Sequence, residues 1–145
     1  MKLIFHSREE KIKVKYFQQI TSYSCGPACL RMILSAFDKY ISEEELIELC
    51  NTTLFGTTCN QIREAAINLG FHAETFKQTS KKEVLNYIGD KLPLIALVDA
   101  AELYGVMPVG HFLVVLEIRQ KTIVYHDPAI GANKNIDINT FLNVW

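Results

Sequence analysis

The chain has 145 residues, 49% of them apolar, and its 15 basic and 16 acidic residues give a formal net charge of −1. That is enough apolar material for one domain with its own core, without help from metals or crosslinks. The basic residues are scattered and form no stripe, which excludes nucleic acid as an expected partner, and no acidic block marks a tail.

The segment before Gln19 carries charges at Lys2, Arg8, Glu9, Glu10, Lys11, Lys13 and Lys15, so it lacks the apolar stretch of a secretory signal. The longest apolar runs, Leu92–Val98 and Phe112–Leu116, are far shorter than the roughly 20 residues that span a bilayer. They read as buried strands. A single cytoplasmic domain over residues 1–145 is expected. Its cysteines, Cys25, Cys29, Cys50 and Cys59, show no CxxC spacing, so reduced thiols are the default. A four-thiolate zinc site would need paired ligands on tight turns, and only Cys59 sits near one.

In chain order, Lys13–Gln19 reads as an extended lead-in. Ser24-Cys25-Gly26-Pro27 opens a helix to about Phe37, with Ser24 as its cap and Pro27 tolerated in the first turn. That helix is apolar on nearly every side, the pattern of a centrally buried element. Ser42 with Glu45 and Thr58 with Gln61 form capping boxes for helices to about Cys50 and Leu69, the second stopping at Gly70. His72 begins a strand, and Ser80 with Glu83 marks a further helix start. The second half changes character: Leu92–Val98, His111–Ile118 and Thr122–His126 are strand runs bounded by Pro, Gly and charged turns. A short helix over about Thr140–Trp145 closes the chain. Helices first and an antiparallel sheet afterwards is an α+β plan.

Cys25 is the residue most suited to chemistry. A helix N-terminus favours the thiolate, which is the attacking form, and Gly26 leaves room for a close approach. Burial as a small apolar group is the commoner fate of a free cysteine, and Cys29, one turn deeper, is assigned to it. Four histidines could serve as base. His6 lies in a charged terminal segment, and His72 has no obvious acidic partner. Hairpin geometry separates the other two. With the turn centred on residue 119, His111 stands directly across from Asp127 and Leu113 across from Tyr125, while His126 points to the opposite face. A carboxylate so placed can hold an imidazole by one nitrogen and leave the other for the thiol. Taken alone, Asp127 before Pro128 would simply end a strand. An acyl transfer also needs oxyanion donors: the Cys25 N–H is one, and a side-chain amide from Gln18 or Gln19 could be another.

The run from Gln19 through Ser24-Cys25-Gly26-Pro27 to Leu34 resembles the start of the bacteriocin-leader-processing cysteine peptidases. These are the papain-like domains found at the N-terminus of ABC exporters that cut leaders after a double glycine. The likeness continues at Gly110-His111-Phe112 through Leu116, at Tyr125-His126-Asp127-Pro128 through Gly131, and at Phe141–Trp145. The resemblance implies a papain-like fold and a triad of Cys25, His111 and Asp127. It selects Gln19, six residues before the cysteine, over Gln18. It implies peptide-bond hydrolysis through a thioester with no metal or cofactor, a leader or precursor peptide as substrate, and a membrane ABC exporter as partner. Exporter-linked members commonly carry acidic residues just before the cysteine, whereas Ile20–Ser24 are uncharged here. The readings beside hydrolysis are a peptide-binding domain that does not cut, and a papain-like transferase that delivers the acyl group to an amine.

Overall fold

In the computed structural model the described residues are 13–77, 80–89, 93–105 and 110–145, with the backbone of 2–4. His6 and Leu92 lie outside them. Elements follow in the order β1 (Lys2–Ile4), α1 (Cys25–Ser35), α2 (Glu43–Leu49), α3 (Cys59–Asn68), β2 (His72–Glu74), α4 (Lys81–Gly89), β3 (Leu94–Asp99), α5 (Ala100–Tyr104), β4 (Gly110–Arg119), β5 (Thr122–Asp127), β6 (Gly131–Asp137) and α6 (Ile138–Val144). The mixed α+β plan read from the sequence is the observed one.

Local chemistry explains most of the boundaries. Thr58 and Gln61 form a full capping box on α3, and Ser42 accepts the Glu45 N–H at the start of α2. Ser80 accepts the Glu83 N–H before α4. Gly70 follows α3 with φ +91°, a conformation that favours glycine. Two expectations need correction. Ser24 precedes α1 but makes no capping hydrogen bond to it, because its hydroxyl is engaged elsewhere. The last helix starts at Ile138 rather than Thr140, since the Asp137 carboxylate accepts the N–H groups of Asn139 and Thr140.

Six strands form one antiparallel sheet in the order β2-β1-β3-β4-β5-β6. Side chains alternate across it and build two cores. On one face Ile95, Phe112 and Val114 meet α1, α2 and α3 through Leu30, Ile33, Leu46 and Ile62. On the other, Leu94, Ala96, Leu113, Val115 and Ile123 meet α4 and α6 through Val84, Ile88 and Phe141. Helix α1 is sandwiched between sheet and helices, which is why it has almost no polar face.

The β4–β5 register differs from the expected one. The turn is the pair Gln120-Lys121, with Arg119 opposite Thr122 and Gln120 at φ +58°. An extra residue then bulges between Val115 and Glu117, so that Val115 faces Tyr125 and Val114 faces His126. Continued outward, this register sets Asp127 level with Leu113, and His111 is its diagonal neighbour rather than its direct opposite. Without the bulge Asp127 would lie level with Val114, on the other face. One inserted residue therefore restores the shared face.

Candidate active site

Three pieces of chain converge on the N-terminus of α1. The first is the lead-in from residue 13, held against the sheet by its backbone. The Gln19 N–H donates to the Pro128 carbonyl (2.8 Å), the Tyr16 hydroxyl donates to the Asp127 carbonyl (2.9 Å), and the Val14 carbonyl accepts from His126 (3.1 Å). The second is α1, which opens at Cys25. The third is the β4–β5 hairpin.

The structure brings Cys25, His111 and Asp127 together. Asp127 is fully buried, and its Oδ1 accepts from His111 Nε2 (2.8 Å) and from the Ala129 N–H (2.8 Å). Its Oδ2 accepts from the Tyr104 hydroxyl, which also contacts the Tyr125 hydroxyl at 3.3 Å. With Nε2 committed to the carboxylate, Nδ1 is left for the Cys25 side chain, which lies near enough to raise the His111 value.

The electrostatics follow from these contacts. Burial penalises the His111 imidazolium, but the Asp127 carboxylate and the Cys25 sulfur outweigh it and hold the ring up to about 9. Burial pushes Asp127 upward, yet hydrogen bonds from His111 and Tyr104 leave it below the usual aspartate value. Burial, then the bond to Asp127, keeps the Tyr104 phenol protonated far above its ordinary range. Burial also raises Cys29 well above the usual thiol value and Cys50 to about 12, which suits them to packing. Cys25 is only half-buried.

Raising the His111 value in the folded state gives a definite pH dependence. Its contribution to stability is fully present below the reference value of 6.5 and is lost as the pH rises through about 9. The stability gap between wild type and His111→Ala, measured by urea unfolding, should therefore be widest below pH 6.5 and narrow beyond pH 9. A gap constant across that range would contradict the ion pair.

The other candidates separate cleanly. His126 lies on the opposite face: its Nε2–H donates to Val14, and its Nδ1 accepts the Asn133 N–H (3.0 Å), which fixes a neutral ring. Burial lowers its value, so it ties lead-in to sheet and takes no part in the site. His72 is exposed on β2, remote in the sheet order from β4. Gln18 is exposed, whereas Gln19 is half-buried, with Nε2 donating to the Thr21 carbonyl at 2.7 Å. Among the described residues no group of three or more His, Cys, Asp or Glu is placed to hold a metal, and no helix is long and apolar enough to cross a membrane.

Space around Cys25 is shaped by α3 and the loop before it. A methyl group on Gly26 would meet Ile62 Cδ1 at 3.1 Å and the Thr57 Cβ at 3.2 Å, tighter than ordinary packing. Sequence reasoning missed three residues. Tyr104 sits on a five-residue helix with no pattern of its own, and the Ala129 N–H is backbone. Glu43 looks like any acidic residue in a first turn, yet it is fully buried, with Oε1 accepting from the Ile20 N–H (2.9 Å) and the Ser24 hydroxyl (2.6 Å).

Known proteins share this arrangement of elements. Over its whole length the chain is 31% identical to the lactococcin-G-processing and transport ATP-binding protein LagD of Lactococcus lactis, of which it spans only 18%. It is 31% identical over 114 residues to an uncharacterised protein of Methanothermobacter marburgensis, matching 79% of this chain and 71% of that one. The peptidase domain of Streptococcus ComA, a bi-functional ABC transporter, superimposes with a TM-score of 0.74 at 27% identity, over 92% of this chain and 93% of that one. A double glycine motif protease from an AMS/PCAT transporter, solved with its leader peptide, gives 0.78 at 24% identity over 94% and 89%, a likeness of fold. The fold is accordingly papain-like. The family model described as the Peptidase C39 family matches residues 13–145, nearly the entire chain, and the protein belongs to that family.

Proposed function

We propose that this chain is a cysteine endopeptidase that removes a leader peptide after a Gly-rich, double-glycine site, using Cys25 as nucleophile, His111 as base and Asp127 as orienter. The observation that carries this reading is the imidazole of His111, held by the buried Asp127 at 2.8 Å and close enough to the Cys25 side chain for the two to interact.

The chemistry follows from the contacts. His111 already carries the proton at neutral pH and pairs with the Cys25 thiolate, which attacks the scissile carbonyl carbon. Negative charge moves to the carbonyl oxygen, within reach of the Cys25 N–H and the Nε2 hydrogen of Gln19 that Thr21 leaves free. As the oxyanion collapses, the C–N bond breaks and His111 gives its proton to the leaving amine. Water then adds to the thioester, losing a proton to His111, and C–S cleavage releases the acid and returns the thiolate beside the imidazolium. Asp127 stays ionised throughout and stabilises the imidazolium. No step calls for a metal or cofactor.

The relatives' names suggest the substrate class: one is a double glycine motif protease solved with a leader peptide, one is the peptidase domain of an ABC transporter, and one is a lactococcin-G-processing and transport protein. We assign residues 1–145 to one peptidase domain working on the cytoplasmic side, alone or joined to an ABC exporter. Incubation with synthetic leader peptides, followed by mass spectrometry, should yield one cut directly after the glycine pair. Peptides with that pair replaced by bulky residues should stay whole. Protein with an intact Cys25 thiol that cuts none of a panel of double-glycine leaders would refute the proposal.

A further inference from the structure

Glu43 is an unusual group to find beside a reaction centre of this kind. It belongs to α2, outside the three pieces of chain that supply the triad, and it is fully buried. Among the described residues no cation pairs with it, and its Oε2 has no hydrogen-bond partner. Burying a carboxylate is costly unless its hydrogen bonds are good. What Glu43 obtains is two donors at opposite ends of one short segment. Oε1 accepts from the backbone of Ile20, the residue after Gln19, and from the hydroxyl of Ser24, the residue before Cys25.

Within that segment the Tyr23 N–H donates to Thr21 Oγ1 at 3.3 Å, and Ser24 Oγ lies 3.2 Å from the Thr21 carbonyl. Its internal bonds centre on Thr21, and among the described residues only Glu43 joins its two ends. Ser24 accepts the Thr21 N–H at 3.1 Å, and Gln19 Nε2 reaches the Thr21 carbonyl at 2.7 Å. The amide of Gln19 is therefore aimed through a turn whose two ends share a single carboxylate oxygen. The hydroxyl of Ser24, free to cap α1, is diverted to that oxygen instead.

We propose that Glu43 is a positioning residue that sets the distance between Gln19 and Cys25, and so holds the oxyanion-binding amide in register with the nucleophile. It touches neither substrate nor sulfur and acts through Ile20 and Ser24. The inference rests on the peptidase reading above and adds to it the element that shapes the oxyanion site. Removing an oxyanion donor outright lowers kcat by roughly 10²–10³, and that sets the ceiling for losing its support.

The test uses Glu43→Leu, which fills the volume without an acceptor, Glu43→Gln, which keeps one, and Gln19→Ala. Glu43→Leu should lower kcat by roughly ten- to a hundredfold, with KM little changed, and Glu43→Gln should recover most of the loss. In a Gln19→Ala background Glu43→Leu should cost almost nothing more, because the group it positions is gone. A full additional loss there, or wild-type kcat in Glu43→Leu alone, overturns the role. Should Glu43→Leu fail to fold, Ser24→Ala cuts the same tie at its other end and is judged by the same criteria.

A second readout separates this inference from the reading beneath it. Iodoacetamide alkylates Cys25 with no need of an oxyanion site. A peptide aldehyde ending in Gly-Gly protects the thiol only by forming a thiohemiacetal, in which an S–C bond replaces the carbonyl π bond and the oxygen takes up the charge. Protection should weaken in Glu43→Leu while alkylation without aldehyde keeps its rate. Equal protection in wild type and variant sinks the role of Glu43 alone. A wild-type thiol that neither alkylates nor is protected sinks the peptidase reading itself.

Discussion

Replacing Cys25 with alanine should abolish leader cleavage, a fall of about 10⁶ in kcat for a nucleophile that works as a unit with its base. The fold should survive, because Cys25 is only half-buried and the core of α1 is built by Leu30, Ile33 and their neighbours. Cys29→Ala is the matched control. That thiol is fully enclosed and held protonated by burial, so its loss should cost stability and leave the chemistry in place. The measurement is a time course of peptide cleavage beside a urea melt for each variant. Residual cutting by Cys25→Ala above the uncatalysed rate would move the nucleophile elsewhere.

Asp127→Ala should be the most damaging change to the fold and the second most damaging to the reaction. Three donors converge on that carboxylate, from His111, Ala129 and Tyr104. Each one orphaned in a buried site costs about 1–3 kcal/mol, so a combined loss of roughly 4 kcal/mol is expected. The imidazole would also lose the partner that fixes its tautomer and sustains its charge, which costs about 10⁴ in a comparable triad. Asp127→Asn provides the contrast. Its amide oxygen can still accept from His111 and Ala129, and its amino group can donate to Tyr104, so stability should fall far less than activity. Equal urea midpoints for wild type and Asp127→Ala would contradict this account of the buried carboxylate.

The parts of this protein that could be read in advance were those written in local chemistry. The Thr58–Gln61 box, the stop at Gly70, the apolar circumference of α1 and the Val/Ile/Leu runs of β3 to β5 are short-range signals, and each produced its element. Cys25 could be found because a helix start is itself local. His111 and Asp127 could be paired because a hairpin reduces a long-range contact to counting. That count centred the turn on residue 119; the turn at Gln120-Lys121 moves the pairing by three residues and the bulge after Val115 takes one back, a net shift of two that preserves the face. What stayed hidden depends on contacts between distant segments. Ser24 read as a cap until Glu43 arrived from another helix, and Tyr104 gained meaning only once α5 lay over Asp127. Strand β6 is polar along Gly131–Asp137 and is defined by its backbone pairing with β5.

The sulfur and its imidazole are contributed by opposite halves of the polypeptide, one by the first long helix and the other by a hairpin near the far end. During synthesis, then, the proposed nucleophile emerges from the ribosome well before its proposed proton acceptor has been made. If these two residues have the proposed roles, the pair is complete only once β4 docks against α1. On the proposed assignment, folding itself assembles the reactive pair.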